Sequence, residues 1–196
     1  MLIDMDPLNK NALRWIRSKN ETPALKTYLP LEVDGEHFEI APDVGTTVTE
    51  ICKRLNNSRG CSLICDYGFD ITKEPQPKRD TFRAYKNHQQ IDPLIEPGNA
   101  DLTADIDFDY VRNCALKEDC KVFGTVTQSQ FLSNLGIGMR LGALMESNSD
   151  ANIRKELISG VRMLMEDMGE RFKFMAIYPK SYNANNISGF EENPSK

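Results

Sequence analysis

The stretch that decides the fold runs Thr47-Val48-Thr49-Glu50-Ile51-Cys52-Lys53-Arg54-Leu55, then Asn56-Asn57-Ser58-Arg59-Gly60, then Cys61-Ser62-Leu63-Ile64-Cys65-Asp66-Tyr67-Gly68. Thr47 to Glu50 has the form of a capping box, in which a hydroxyl and a carboxylate satisfy orphan amides reciprocally, and it predicts a helix start. Val48, Ile51, Cys52 and Leu55 then recur at helical spacing on one apolar face. Asn56 to Gly60 closes the helix, with Gly60 as the expected left-handed cap. The next run is short and almost continuously apolar, and it stops abruptly at Asp66 and Gly68. Such runs fit strands buried on both faces of a parallel sheet. Helix, tight turn and buried strand together predict an α/β sheet. Ligands of open α/β sheets bind beyond the carboxyl ends of the strands. Asp66-Tyr67-Gly68 is therefore a candidate for chemistry, or else an Asp turn in which Gly supplies the positive φ.

Upstream, Met1 to Asp6-Pro7 reads as a short strand running into a turn. It has neither the apolar length of a signal peptide nor the acid-poor, Arg-rich composition of a transit peptide. Leu13 to Arg17 is too short to separate strand from helical turn. Pro23 and Pro30 bracket an expected loop, and His37 to Ile40 suggests a short strand before Pro42. Downstream, residues 69–104 hold almost no periodic signal and carry Pro75, Pro77, Pro93 and Pro97. With Phe82, Tyr85, Ile91, Leu94 and Ile95 among them, they are expected to form a long, packed, functional loop.

Phe108 to Leu116 reads as helix and Lys121 to Val126 as strand. Thr127-Gln128-Ser129-Gln130 is a second capping box, opening a helix through Phe131, Leu132 and Leu135 to Gly136. The longest helix is expected from Asp150 to Met168, burying Ile153, Leu157, Ile158, Val161, Leu164, Met165 and Met168. Gly169 ends it, and Phe172 to Tyr178 forms a final strand. The expected organisation is one partial domain over 1–180, with helix plus buried strand at 45–68 and C-terminal helices and strands at 105–180. A flexible tail follows at 181–196, and no internal repeat is present.

Composition narrows the function. The 196 residues carry 24 basic and 29 acidic side chains, a net charge of -5, which argues against a broad electrostatic grip on nucleic acid. No apolar run approaches the roughly 20 residues of a membrane span. The five cysteines form no C-x-x-C pair, and His37 and His88 lie far apart, so no metal site is expected. Reduced, partly buried thiols are expected instead.

Two motifs fail on inspection. Gly136-Ile137-Gly138 with Gly142 has the wrong spacing for a dinucleotide fingerprint and follows a helix, not a strand. Asp105-Ile106-Asp107-Phe108-Asp109 starts like a calcium loop, but Tyr110 and Leu116 stand where Gly and Glu are required. What remains is acidic density at Asp66, Asp92, Asp101, Asp105, Asp107 and Asp109. Either Asp107 or a neighbour caps the next helix and the rest are solvated, or the acids hold a cation, most naturally a guanidinium.

The landmarks Asp66-Tyr67-Gly68, Asp80-Thr81-Phe82-Arg83, Asp92-Pro93-Leu94 and Pro97-Gly98 stand in one order with three further blocks. These are Ala100-Asp101-Leu102-Thr103-Ala104-Asp105-Ile106-Asp107-Phe108, Thr127-Gln128-Ser129-Gln130-Phe131-Leu132 and Met168-Gly169-Glu170-Arg171-Phe172. In order and spacing they resemble the MidA-type mitochondrial protein arginine methyltransferases that assist assembly of respiratory complex I. The similarity covers Cys65 to Pro179 and extends more weakly to residue 1, through Ile3 to Pro7 and Pro42-Asp43.

The resemblance implies a Rossmann-like fold, S-adenosylmethionine as methyl donor, a mitochondrial location and an arginine of a complex I core subunit as acceptor. Attack of a guanidinium on a sulfonium methyl depends on positioning and on carboxylates that orient the nucleophile. Asp66, Tyr67, Asp101, Thr103 and Asp105 become the catalytic candidates, and Gly68, Arg83 and Asp107 the substrate-binding ones. Arg83 is expected to pair with one of these acids or with the cofactor carboxylate. The alternative for all of them is loop scaffolding.

The family's Glu-x-Gly-x-Gly cofactor loop has no counterpart here, so the chain resembles the C-terminal half of the enzyme, with no cofactor-binding residue identifiable and no transit peptide. Two functions follow: a protein arginine methyltransferase, or a non-catalytic form that acts as a binding or assembly factor. A sheet without its first strands is expected to expose a strand edge and apolar helix faces.

Overall fold

The computed structural model describes residues 1–28, 39–75, 77, 80–183 and 185–191. Contacts divide the chain into two compact units, Met1–Val44 with Pro75–Asp105 and Gly45–Glu74 with Ile106–Lys196. Sequence proximity does not report which segments pack together, and the first unit is assembled from two separated stretches.

In the first unit, β1 (Leu2–Met5) and β2 (Leu13–Ile16) form an antiparallel pair with Leu2 opposite Ile16. Asp6 turns the chain as its sequence suggests, its carboxylate accepting the Leu8 amide at 2.8 Å. Helix α1 (Pro23–Tyr28) occupies what was expected to be loop. Thr22 accepts the Leu25 amide at 3.3 Å, and Pro23 at the first helical position costs no hydrogen bond. Of the strand expected over His37–Ile40, the first two positions lie outside the described residues, and Glu39 and Ile40 are not in a strand.

The expected loop of 69–104 contains a second sheet. β4 (Arg83–Lys86) lies between β5 (Gln89–Ile91) and β6 (Asp101–Thr103), antiparallel to both. Strands of three or four residues are too short to show a period. Their hairpin turns on Asn87 and His88, with φ of 52° and 62°, a left-handed pair usually signalled by Asn-Gly.

In the second unit a four-stranded sheet runs β7-β3-β9-β8. Its strands are β3 (Ser62–Phe69), β7 (Ile106–Asp107), β8 (Lys121–Thr127) and β9 (Phe172–Tyr178). β9 is antiparallel to both β3 and β8, and β3 runs parallel to β7 only at Gly68↔Ile106 and Phe69↔Asp107. The strand expected to be buried on both faces is β3, yet Leu63 is 52% exposed and Cys65 is exposed. The doubly buried strand is β9, where Phe174 through Ile177 are all buried.

Helix α2 (Pro42–Asn57) starts ahead of its expected cap, so Thr47 and Glu50 lie inside it; Pro42 leads and Asp43 stands in the first turn. The anticipated apolar face is real: Val48, Cys52 and Leu55 are buried, with Ile51 half-buried beside them. The helix stops two residues before Gly60's neighbour Arg59, with Ser58 donating its amide to Leu55 and its hydroxyl to Arg54; Gly60, at φ 140°, is not a left-handed cap.

Helix α3 (Phe108–Lys117) buries Phe108, Val111, Cys114 and Ala115. The second capping box closes as expected around Thr127 and Gln130, opening α4 (Gln128–Asn134). Helices α5 (Ile137–Ser147) and α6 (Ala151–Arg162) bury no residue, and a π-helical turn, Met163–Asp167, ends α6. The stripe expected to be buried is only partly covered: Ile153 and Ile158 are 42% and 49% exposed, whereas Leu157, Val161, Leu164, Met165 and Met168 are half-buried. Helical spacing fixes that a face is apolar, not that something covers it. The tail beyond Lys180 is docked as far as it is described. Phe190 packs on Phe131 at 5.3 Å between ring centroids, and Asn134 donates to the Gly189 and Glu191 carbonyls.

Candidate functional site

The carboxyl end of β3 carries the first group of candidates. Asp66 is half-buried, and its Oδ1 accepts the amide of Tyr67 at 2.7 Å. The Tyr67 ring lies on Phe172 with centroids 4.0 Å apart, and the Arg171 guanidinium carbon sits 5.3 Å from the Tyr67 centroid. The Tyr67 ring is thus in contact with an aromatic ring and within cation–π distance of a guanidinium of this chain. Gly68 is where β7 comes closest. A Cβ there would lie 2.4 Å from the Ile106 carbonyl oxygen and 2.7 Å from the Phe108 ring. The absence of a side chain at Gly68 therefore admits a neighbouring strand.

Asp107 caps α3, accepting the Asp109 and Tyr110 amides at 2.9 and 3.2 Å. Burial pushes its carboxyl above the ordinary range, against the opposing pull of those two amides. Asp109 accepts from the Asn113 amide nitrogen, and Asp92 accepts the Leu94 amide. For Asp92, Asp107 and Asp109 the capping and turn roles are thus in place.

Arg83, Thr103, Asp105 and Asp101 belong to the first unit. Arg83 opens β4, is 5% exposed, and pairs through Nη2 with Asp105 Oδ1. Of the two partners expected for Arg83, the acid is the one present. Thr103 is its cross-strand neighbour. Arg83 Nε and Nη1 and Thr103 Oγ1 are buried without a hydrogen-bond partner. Each such group costs about 1–3 kcal/mol when left unmet. Asp101 is exposed at the start of β6, opposite Tyr85. Behind β4, Glu39 accepts the Phe82 amide at 2.7 Å and the Thr81 hydroxyl. Asp66, Tyr67, Gly68 and Asp107 are in the second unit, so the candidates fall into two groups.

Sequence patterns missed one heavily bonded carboxylate. Asp70 directly follows β3 and is 1% exposed. It accepts from the Thr125 hydroxyl at 2.6 Å, from the Thr72 amide and hydroxyl, and from Arg112. Arg112 also donates to the Gly124 carbonyl at 2.7 Å, and Lys73 to the Thr125 carbonyl at 2.7 Å. Lys173 on β9 is 7% exposed and pairs with Glu74 at 3.1 Å. Burial pushes the Asp70 carboxyl up, but the bonds from Thr125 and Thr72 and the Arg112 charge outweigh it and hold it below the usual range. The visible signal was Asp70-Ile71-Thr72, a spacing at which Asp turns back onto the second amide. Arg112 and Thr125 gave none.

Gly138 and Gly142 lie inside helix α5, which follows α4, so Gly136 to Gly142 is not the strand-to-helix glycine turn of a nucleoside cofactor's cradle.

Comparison with known proteins matches residues 1–126 to the family described as "Putative S-adenosyl-L-methionine-dependent methyltransferase". The Xenopus laevis mitochondrial protein arginine methyltransferase NDUFAF7 is 38% identical over 189 residues, 95% of this chain and 42% of its own length. The Danio rerio protein of that name is 41% identical over 179 residues, 90% of this chain and 41% of its own. The chain thus spans about two-fifths of the length of these curated relatives. A solved uncharacterized superfamily protein from Burkholderia thailandensis matches 96% of this chain with 50% of its own, at TM-score 0.78 and 24% identity. A second structure from that organism, bound to S-adenosyl-homocysteine, matches at TM-score 0.73 and 24% identity. At that identity the structural likeness bears on fold, which is the α/β, Rossmann-like methyltransferase fold.

Proposed function

Because the chain belongs to a family of S-adenosyl-L-methionine-dependent methyltransferases, we propose that it serves the methylation of arginine in a protein substrate. The location is the mitochondrion and the substrate an arginine-bearing core subunit of respiratory complex I. The observation that carries this is identity of 38–41% to curated mitochondrial arginine methyltransferases along nine-tenths or more of the chain.

The family's methyl donor supplies an activated methyl on a sulfonium. The residues of this chain act on the acceptor. Asp66 accepts hydrogen bonds from the incoming guanidinium and turns one nitrogen toward the methyl. Tyr67, fixed by its ring contact with Phe172, lines the approach to Asp66. Gly68 and Asp107 fix the backbone around β7 in the same unit, and Arg83, Asp101, Thr103 and Asp105 are the substrate-side candidates of the first unit taken by itself.

A second reading is a binding or assembly factor without transfer, favoured by the lack of a Glu-x-Gly-x-Gly stretch in these 196 residues. Transfer of labelled methyl from S-adenosylmethionine to a purified complex I core subunit separates the two. Transfer by the chain that is lost in Asp66→Asn supports the enzyme. Subunit binding without transfer supports the assembly factor. Neither binding nor transfer by folded protein removes both.

A further inference from the structure

β8 and β9 are antiparallel neighbours whose ends meet in register, Thr127 opposite Lys173, so a tight hairpin turn would suffice to join them. Residues 128–171 instead leave the sheet as α4, α5 and α6 and return through the π-helical turn. α5 and α6 contain no buried residue, so core formation alone does not account for them. The excursion carries a groove of about 380 Å³ lined by Ser149, Ala151, Arg154, Lys155 and Ile158. The last four recur at i, i+3, i+4 and i+7, one face of α6, with apolar residues at its ends and two cations between them. Ile158 is half exposed. Among the described residues neither Arg154 nor Lys155 is in an ion pair, whereas the exposed Arg14, Lys53, Arg162 and Lys180 each are. Of the acids flanking this face in sequence, Asp150 caps α6, accepting the Asn152 amide at 2.7 Å, and Glu156 falls by helical spacing on the opposite side.

We propose that this face of α6 docks a helical segment of a partner protein that carries paired carboxylates beside an apolar side chain. The carboxylates meet Arg154 and Lys155, and the apolar side chain lies on Ile158. Charge complementarity selects that occupant, since the groove presents two unmatched cations on a chain whose net charge is -5. Helix-in-groove recognition reads anchors at the same i, i+3, i+4 and i+7 spacing that this face displays. An anionic membrane surface fits less well. Residues 137–162 carry Arg140, Arg154, Lys155 and Arg162 against Glu146, Asp150 and Glu156, so positive charge is concentrated at the groove and not spread along a face as an interfacial helix requires. The proposal goes beyond methyl transfer and stands without it.

The test titrates the full chain into a fluorescently labelled synthetic helical peptide, in which two Glu one turn apart are followed one turn on by Leu, and reads anisotropy. Saturable binding is expected, weakened about tenfold or more when Gln replaces both Glu in the peptide, because the contact is between charges. The double variant Arg154→Gln, Lys155→Gln is expected to weaken it by a similar factor. Both side chains are exposed and unpaired, so that variant is expected to melt with the wild type. Ile158→Gln, at the apolar end of the face, is expected to weaken binding several-fold and gives a second, independent reading. No saturable binding by folded wild-type chain overturns the proposal. So does binding that survives the Gln peptide or the double variant. Vesicles of phosphatidylcholine and phosphatidylserine held by the wild type and released by the double variant give the face to a membrane and overturn it. Self-association of the chain that the double variant abolishes gives the face to a second copy, with the same consequence. Displacement of the peptide by the portion of the Danio rerio relative outside the matched segment overturns it too, giving the groove to the rest of such a protein.

Discussion

Asp70 and Thr125, 55 residues apart in sequence, meet with carboxylate and hydroxyl oxygens 2.6 Å apart inside the second unit. The bond ties the end of β3 to β8, and Arg112 of α3 closes it from the helix side. Asp66 and Tyr67 stand only a few residues before this knot. Their placement depends on a buried ion pair that no local pattern announces.

Removing one partner of a buried pair strands the other. Asp70→Asn is therefore expected to cost about 3–5 kcal/mol at neutral pH, and Thr125→Val about 1–3 kcal/mol. The pH dependence follows from the depressed carboxyl. Its folded value lies below an unfolded value of about 3.9, so its stabilisation is complete above that pH and is lost as pH falls through the folded value. Urea melts at neutral and strongly acidic pH check this: the wild-type advantage over Asp70→Asn must shrink on acidification. A constant difference sinks it.

Asp107 has the opposite sign. Its carboxyl is raised by burial, so its ionised form is penalised in the folded state, and stability is lost as pH rises from the unfolded value through the folded one. Asn caps as well as Asp and carries no charge. Asp107→Asn is expected to match or exceed wild type at neutral pH, whereas Asp107→Ala loses about 1 kcal/mol with the cap. Thermal melts of both across pH decide it; an Asn variant as weak as the Ala variant shows that the charge itself is needed.

Gly68→Ala drives a methyl to within 2.4 Å of the Ile106 carbonyl, a backbone atom with little freedom to retreat. Overpacking of this kind costs about 1–3 kcal/mol. Gly142→Ala is the control. It sits in α5 with nothing within 4 Å and gains about 1 kcal/mol of helix propensity. Denaturant melts showing the two with the same sign refute the close-approach argument.

Phe190→Ala is expected to destabilise the cluster of Phe131, Phe174 and Val126, on which Phe190 and Leu132 pack. Full burial of a Phe is worth about 3–5 kcal/mol on truncation, and this half-buried ring about half of that. A variant melting with wild type in calorimetry means that the segment around Phe190 is not docked in solution.

The amino-acid sequence alone determined the elements whose signals are local. The Thr127–Gln130 capping box closed as written, β9 ran from Phe172 to Tyr178 as its pattern indicated, and Asp107 capped α3. Caps and turns are made by residues within a few positions of one another, so the sequence contains both partners at once. The ordered landmarks from Asp66 to Phe172 likewise pointed to the family without a structure. Tertiary structure decided everything with distant partners. It made β9 and not β3 the doubly buried strand, built a sheet from strands of three and four residues within 69–104, and covered the apolar stripe of α6 only in part. It also drew Asp70, Arg112 and Thr125 together from a strand end, a helix and another strand. Burial and ion pairing depend on which surfaces meet. Periodicity along one segment fixes the chemistry of a face and leaves open what lies against it.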